Sequence, residues 1–174
     1  MLFSGLPFLY YFLPAVLVCY FAAPRKLKNA VLFVFSLIFY GWGEPRYIVR
    51  MIVSIVSGFV FALMIEKKQN KKSGLILMWI SVAVSLSFLL IFKYADFLIE
   101  NVNQLPGVSL PLSKLSLPIG ISFYTFQIIS YTVDVWRGDT KAQRNIISFG
   151  TYVSLFPQLF AGPIVRYTDI EREL

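Results

Sequence analysis

The length of the uncharged runs constrains this chain most. Met1–Ala23, Asn29–Gly43, Met51–Ile65, Ser73–Phe92, Leu115–Val133 and Asn145–Val165 contain no Asp, Glu, Lys or Arg. Four of the six run for 19 to 23 residues, and a helix needs about 20 apolar residues to cross a bilayer. Little polar material is left to clothe a water-soluble core. Charged residues make up 14% of the 174, where a soluble domain has about 25%. The expectation is an all-α, polytopic membrane protein with about six transmembrane helices. Its spans fall near 6–22, 29–43, 47–65, 74–92, 117–136 and 146–165. The second and third are marginal. The third reaches full length only if Tyr47 joins it and Arg50 snorkels to the surface.

A net charge of +7 and a pI of 9.6 invite a nucleic-acid reading. The placement of the charges argues against one, because the basic residues sit between the apolar runs and alternate in density. Arg25, Lys26 and Lys28 follow the first span, Lys67, Lys68, Lys71 and Lys72 the third, and Arg137, Lys141 and Arg144 the fifth. The intervening loops hold Arg46, Arg50, Lys93 and Lys114. Basic loops stay cytoplasmic. The expected location is therefore the cell membrane, multi-pass, with an extracytoplasmic N-terminus, membrane lipid as a partner and no nucleic acid. No basic region precedes the first run, so it is not read as a cleaved signal peptide.

The chain has no histidine, and Cys19 is its only cysteine. Imidazole catalysis, His-ligated metals and CxxC redox chemistry are excluded within these residues. We expect no metal and no cofactor here, and no catalytic residue is assigned.

Two segments carry polar signals. In the fifth span Gly120, Tyr124, Gln127, Tyr131 and Asp134 recur at spacings of 4, 3, 4 and 3, which places them on one helix face. The stripe either packs and hydrogen-bonds to other helices or faces a water-filled cavity. Asp134 lies about 24 Å along the helix from Pro118, near the cytoplasmic interface, where Arg137 at i+3 can pair with it. The sixth span is interrupted by Pro157-Gln158 and by Gly162-Pro163. Proline frees the carbonyl four residues back. Such a break is either a plain kink or a substrate-binding interruption. Arg166 then either binds an anionic group or anchors the helix at the interface. Between the fourth and fifth spans, the residues after Lys93 read as a short mixed helix to about Gln104. A Pro/Gly-rich loop over Leu105–Pro111 follows.

Three stretches carry a resemblance. They are Leu117-Pro-Ile-Gly-Ile-Ser-Phe-Tyr-Thr-Phe-Gln127 with Ser130-Tyr131 and Asp134-Val-Trp-Arg-Gly138; Phe156-Pro-Gln-Leu-Phe-Ala-Gly-Pro-Ile-Val-Arg-Tyr167; and, earlier, Phe39-Tyr-Gly-Trp-Gly-Glu-Pro45. The chain resembles, over essentially its whole length, the membrane-bound O-acyltransferase family. Its nearest branch is that of alginate O-acetyltransferases and teichoic acid D-alanyl transferases. The resemblance implies part of a larger helical acyltransferase fold with a central cavity. It also implies transfer of an acyl group, acetyl-like or D-alanyl, to hydroxyls of an extracytoplasmic polysaccharide. The partners implied are an acyl donor (a thioester or a carrier protein) and an extracellular glycan acceptor. The family's hallmark is a membrane-embedded histidine acting as base, and it falls beyond these residues. The chain is accordingly read as the N-terminal part of such an enzyme, inactive without the missing C-terminal part that holds the histidine. Tyr124, Gln127, Tyr131, Asp134, Gln158, Pro163 and Arg166 match positions in the motifs and are the candidates for lining the substrate path. A transporter or flippase, and a non-catalytic structural subunit, are the competing readings. Inverted repeats would favour the transporter, and none is found.

Overall fold

The computed structural model describes residues 6–43, 45–69, 71–103, 111, 120–161 and 165–171. Every regular element among them is helical. The first span is helical from residue 6 to residue 22, but its second turn, Phe8–Phe12, is wound as a π-helix before α1 (Leu13–Ala22). Pro14 explains the widening. Its ring crowds the carbonyl four residues back and it has no N–H to offer. The N–H of Leu13 reaches back five residues to the Phe8 carbonyl instead.

The chain continues through α2 (Lys28–Gly43), α3 (Ile48–Glu66), α4 (Lys72–Val102) and α5 (Ile121–Arg137). It ends in three short helices, α6 (Ile146–Ser154), α7 (Phe156–Ala161) and α8 (Tyr167–Ile170). α3, α4 and α5 pack mutually, α2 lies on α6, and α1 lies on α2. Small residues allow the closest approach. Ser54, Gly58 and Ala62 recur every fourth residue on the buried face of α3, the spacing that lets helix backbones draw together in a membrane. A β-carbon at Gly58 would lie 2.7 Å from the Cγ2 of Ile128 on α5.

Among the described residues two helices are long and apolar enough to cross a bilayer, Pro45–Glu66 and Lys72–Tyr94, at 22 and 23 residues. Only 39% and 22% of their apolar windows are buried within the protein. The helix at the centre of a soluble protein is mostly covered, whereas these present apolar surface outward. The chain is a helical membrane protein. Phe8–Ala22 and Ile146–Leu159 are apolar but shorter.

The structure departs from the sequence-based expectation in three places. First, α4 does not stop near residue 92. It runs unbroken for 31 residues, about 46 Å at 1.5 Å per residue. Helical hydrogen bonding does not require an apolar residue at each position, so Lys93 and Asp96 mark a change of environment and not of conformation. Second, residues 146–161 do not form one continuous helix. α6 rises from the end of the molecule that holds Glu66 and Gly138, α7 continues inward, and the chain returns. The Tyr152 hydroxyl donates to the Val165 carbonyl at 3.1 Å. Tyr167 receives a hydrogen bond from the Gln143 side chain at 2.9 Å, and Thr140 donates to Glu171 at 2.9 Å. We call the segment re-entrant in the sense that it folds back beside α6. Third, Arg50 is 9% exposed and does not snorkel. Its guanidinium lies over the Phe92 ring and donates to the Phe88 carbonyl.

The three heavily basic loops meet at one end of the molecule. Asn29 donates to Ser148 at 3.1 Å, Gln69 to the Val135 carbonyl at 3.0 Å, and the amide of Ala142 to Glu66 at 3.2 Å. Glu66 also pairs with Arg144 at 2.5 Å. The Arg144 side chain is 67% exposed, so the pair adds no more than about 1 kcal/mol. Residues 104–110 and 112–119, which hold all of the Pro/Gly-rich stretch but Pro111, and Pro118, lie outside the described residues.

Candidate functional site at the fifth helix and the re-entrant break

The polar stripe of α5 is buried along its whole length. Tyr124 is 1% exposed, Gln127 2%, Tyr131 0% and Asp134 5%. The helix starts and stops on glycines in the left-handed region, Gly120 at φ +74 and Gly138 at φ +86, where a β-carbon is penalised. Gly120 also sits against α7. A β-carbon there would lie 3.1 Å from Leu159 Cδ2 and 3.3 Å from the Leu159 carbonyl.

The re-entrant segment breaks at Leu155, whose ψ of 112 leaves the helical region. Pro157 accounts for the position of the break, because it cannot donate to a carbonyl four residues back. The Leu155 carbonyl restarts the ladder by accepting from the amides of Gln158 and Leu159 at 3.0 and 3.2 Å. Irregular backbone at membrane depth is tolerated only where protein or a polar cavity surrounds it. Both conditions hold here. Tyr152, Val153 and Ser154 are completely buried. A cavity of about 190 Å³ adjoins the break, lined in part by Tyr20, Asn29, Leu32, Thr151, Tyr152 and Gln158. That is room for several waters.

The two candidate features meet directly. The side-chain amide of Gln127 donates to Oε1 of Gln158 at 3.0 Å. The α5 stripe is thus joined to the break, and through Gln158 to the cavity. Tyr131 is fixed separately. Its hydroxyl accepts from the backbone amide of Gln143 at 2.7 Å, and its ring sits 4.7 Å from Phe149 and 4.8 Å from Tyr167. Burial raises the Tyr167 phenol above the ordinary tyrosine value, and the Gln143 hydrogen bond works against that rise.

Asp134 is not held by Arg137 in an ion pair. Among the described residues the only ion pair is Arg144–Glu66. The charge of Arg166, brought back by the re-entrant turn, acts on Asp134 more strongly than that of Arg137. One carboxylate oxygen of Asp134 is buried and without a hydrogen-bond partner among the described residues. Arg166 itself is exposed. Pro163 lies outside the described residues. Tyr124 points elsewhere, toward Tyr40 and Arg50 near the start of α3. The seven candidates therefore divide. Gln127 and Gln158 share one junction, the charge of Arg166 acts on Asp134 at the basic end, Tyr131 is held by Gln143, Tyr124 belongs to a separate neighbourhood, and Pro163 lies outside the described residues.

Sequence reasoning missed Asn29, Thr151 and Tyr152. Thr151 donates to the Asn29 carbonyl at 2.9 Å, and all three border the cavity. Tyr152 and Thr151 precede Leu155, where the segment breaks, by three and four residues. A helical-face reading of residues 146–155 contained that signal.

Along 98% of its length the chain is 37% identical to probable alginate O-acetylases of Pseudomonas syringae pv. tomato and Pseudomonas aeruginosa, of which it covers 34% each. It is 28% identical, again over 98% of its length, to a peptidoglycan O-acetyltransferase of Helicobacter pylori, of which it covers 38%. The chain thus spans about a third of the length of the curated relatives it matches. No family model and no solved structure matches it.

Proposed function

Since the chain belongs to the membrane-bound O-acyltransferase family, we propose that it forms the N-terminal part of an enzyme that acylates hydroxyls of an extracytoplasmic polysaccharide. The observation that carries this reading is the 37% identity to alginate O-acetylases across 98% of the chain. The acyl group is acetyl-like or D-alanyl and arrives from a thioester or a carrier protein. The acceptor is an extracellular glycan. The chain crosses the cell membrane several times with its N-terminus outside, as the clustering of the basic loops at one end supports.

Acyl transfer to a hydroxyl needs a base to remove the proton, and a group with a pKa near neutrality suits that step. These 174 residues contain no histidine, so the base is supplied from outside them and the chain is inactive alone. Its own residues supply the surroundings. Gln127 and Gln158 hold the re-entrant segment against α5. The cavity beside Gln158 receives part of the acyl path, and Asp134 with Arg166 closes its basic end.

The test uses membranes carrying the chain alone, or the chain joined to the remaining two-thirds of the Pseudomonas syringae relative. Each is given radiolabelled acetyl or D-alanyl donor and cell-surface polymer. Label on the polymer is expected from the fusion and not from the chain alone. Transfer by the chain alone overturns its assignment as inactive. A folded, membrane-inserted fusion that transfers neither group overturns the acyltransferase reading.

A further inference from the structure

Arg50 is a buried cation with spare donors. It lies in the first turn of α3, about 24 Å along that helix from Glu66 and the basic end. Its Cζ is 3.3 Å from the Phe92 ring centre and 5.5 Å from that of Phe88. Nη2 donates to the Phe88 carbonyl. Nε and Nη1 are buried and donate to nothing among the described residues, and no carboxylate there pairs with the group. The phenols of Tyr124, Tyr40 and Tyr47 lie within its electrostatic reach. Aromatic faces attract a cation, but they cannot satisfy N–H groups that lie in the guanidinium plane. A buried guanidinium ordinarily has an anion there.

We propose that Arg50 and the surrounding phenols form an anion site that takes a carboxylate arriving from the extracytoplasmic side. Phe92 occupies a flat face of the guanidinium, so the ligand must approach edge-on. A carboxylate matches that approach, since its acceptor lone pairs share one plane. Two sources share this chemistry, a free short-chain acid and an acidic sugar of the acceptor glycan. In the second case the inference rests on the acyl-transfer reading, because it then names the charge class of the acceptor. The opposite end of the molecule, with Asp134 and Arg166, plays no part in the site.

The chain is reconstituted in neutral-lipid nanodiscs without acyl donor, and thermal unfolding is followed with acetate, a hexuronate trimer or uncharged maltotriose. At a ligand concentration about 100-fold above the dissociation constant, the midpoint is expected to rise by about 5 °C. Maltotriose is expected to leave it unmoved. A shift with acetate identifies the free acid as sufficient, and a shift with the trimer alone identifies the glycan; either supports the site. Arg50→Gln is expected to abolish the shift. Arg50→Lys, which keeps the charge but loses the planar fork, is expected to weaken binding at least tenfold, and it serves if Arg50→Gln does not fold. The proposal falls if neither carboxylate moves the midpoint, if maltotriose moves it equally, or if the folded variants respond like the wild type. Binding is read without a donor, so carboxylate binding without polymer acylation counts against the proposed function alone. Acylation without carboxylate binding counts against this site alone.

Discussion

Gln127 and Gln158, 31 residues apart, hold the re-entrant segment to α5 through one uncharged hydrogen bond. Replacing either by Leu strands the other amide. Gln127 is 2% exposed, so Gln158→Leu is expected to cost about 1–3 kcal/mol. The double replacement is expected to cost less than the sum of the singles, with a coupling of about 0.5–1.5 kcal/mol. Denaturant unfolding of the detergent-solubilised chain measures the cycle, and a coupling of zero would remove the bond from the account. A steric test lies at Gly58. Gly58→Val must displace Ile128 and is expected to cost about 1–3 kcal/mol. Gly43→Ala, where a β-carbon meets nothing within 4 Å, is expected to stay within about 0.5 kcal/mol of wild type. Residue identities were only partly legible in the sequence. Periodicity marked Gln127 and proline marked Gln158, but no local rule gives their separation. Arg50 was misread for a similar reason. Whether an arginine snorkels or stays buried depends on Phe88 and Phe92, about forty positions away, which no pattern around residue 50 reveals.

The re-entrant segment is the element with the most to test. Pro157 breaks α6 from α7, and Leu155 absorbs the change in backbone direction. Pro157→Ala restores the missing N–H and removes the ring. We expect the ladder to close across Leu155, and amide exchange over residues 154–158 to slow by about two- to tenfold, the effect of one added hydrogen bond. Unchanged exchange would show that tertiary packing holds the break open without the proline. Helices α2 and α3 followed closely from their uncharged runs, because burial of apolar side chains sets both the run and the helix. α4 was underestimated. The run of apolar residues reports where lipid ends, and the helix continues past that point. The return of α6–α7–α8 to its starting end was not legible. A broken apolar run of 21 residues has the same composition whether it runs straight or folds back, and only contacts such as Tyr152 to Val165 show the fold-back.

At the scale of the whole molecule, the basic loops gather at one end, and residues 165–171 join them there. A reporter fused after Lys72 and another fused after Glu171 are therefore expected on the same side of the membrane, the cytoplasmic one. Green fluorescence with no alkaline phosphatase activity at both positions is the expected pattern. Opposite readings would restore a full crossing by residues 146–165, and phosphatase activity at both would invert the orientation. The class of fold was legible from the outset, since 14% charge over six apolar runs leaves no soluble alternative. The assembly of the site was not, because it depends on one segment turning back on itself.

The length of α4 carries a last consequence. Its 31 residues reach about 46 Å, close to the 40–45 Å of a bilayer measured with its headgroups. Upright, the helix sets Lys72 in one headgroup layer and Glu100 in the other. A thinner membrane forces it to lean, and α3 and α5, packed along it, must lean as well. A change in the acyl-chain length of the surrounding lipid is thereby expected to tilt the packet as one body, and to shift with it the level at which the cavity beside Gln158 sits.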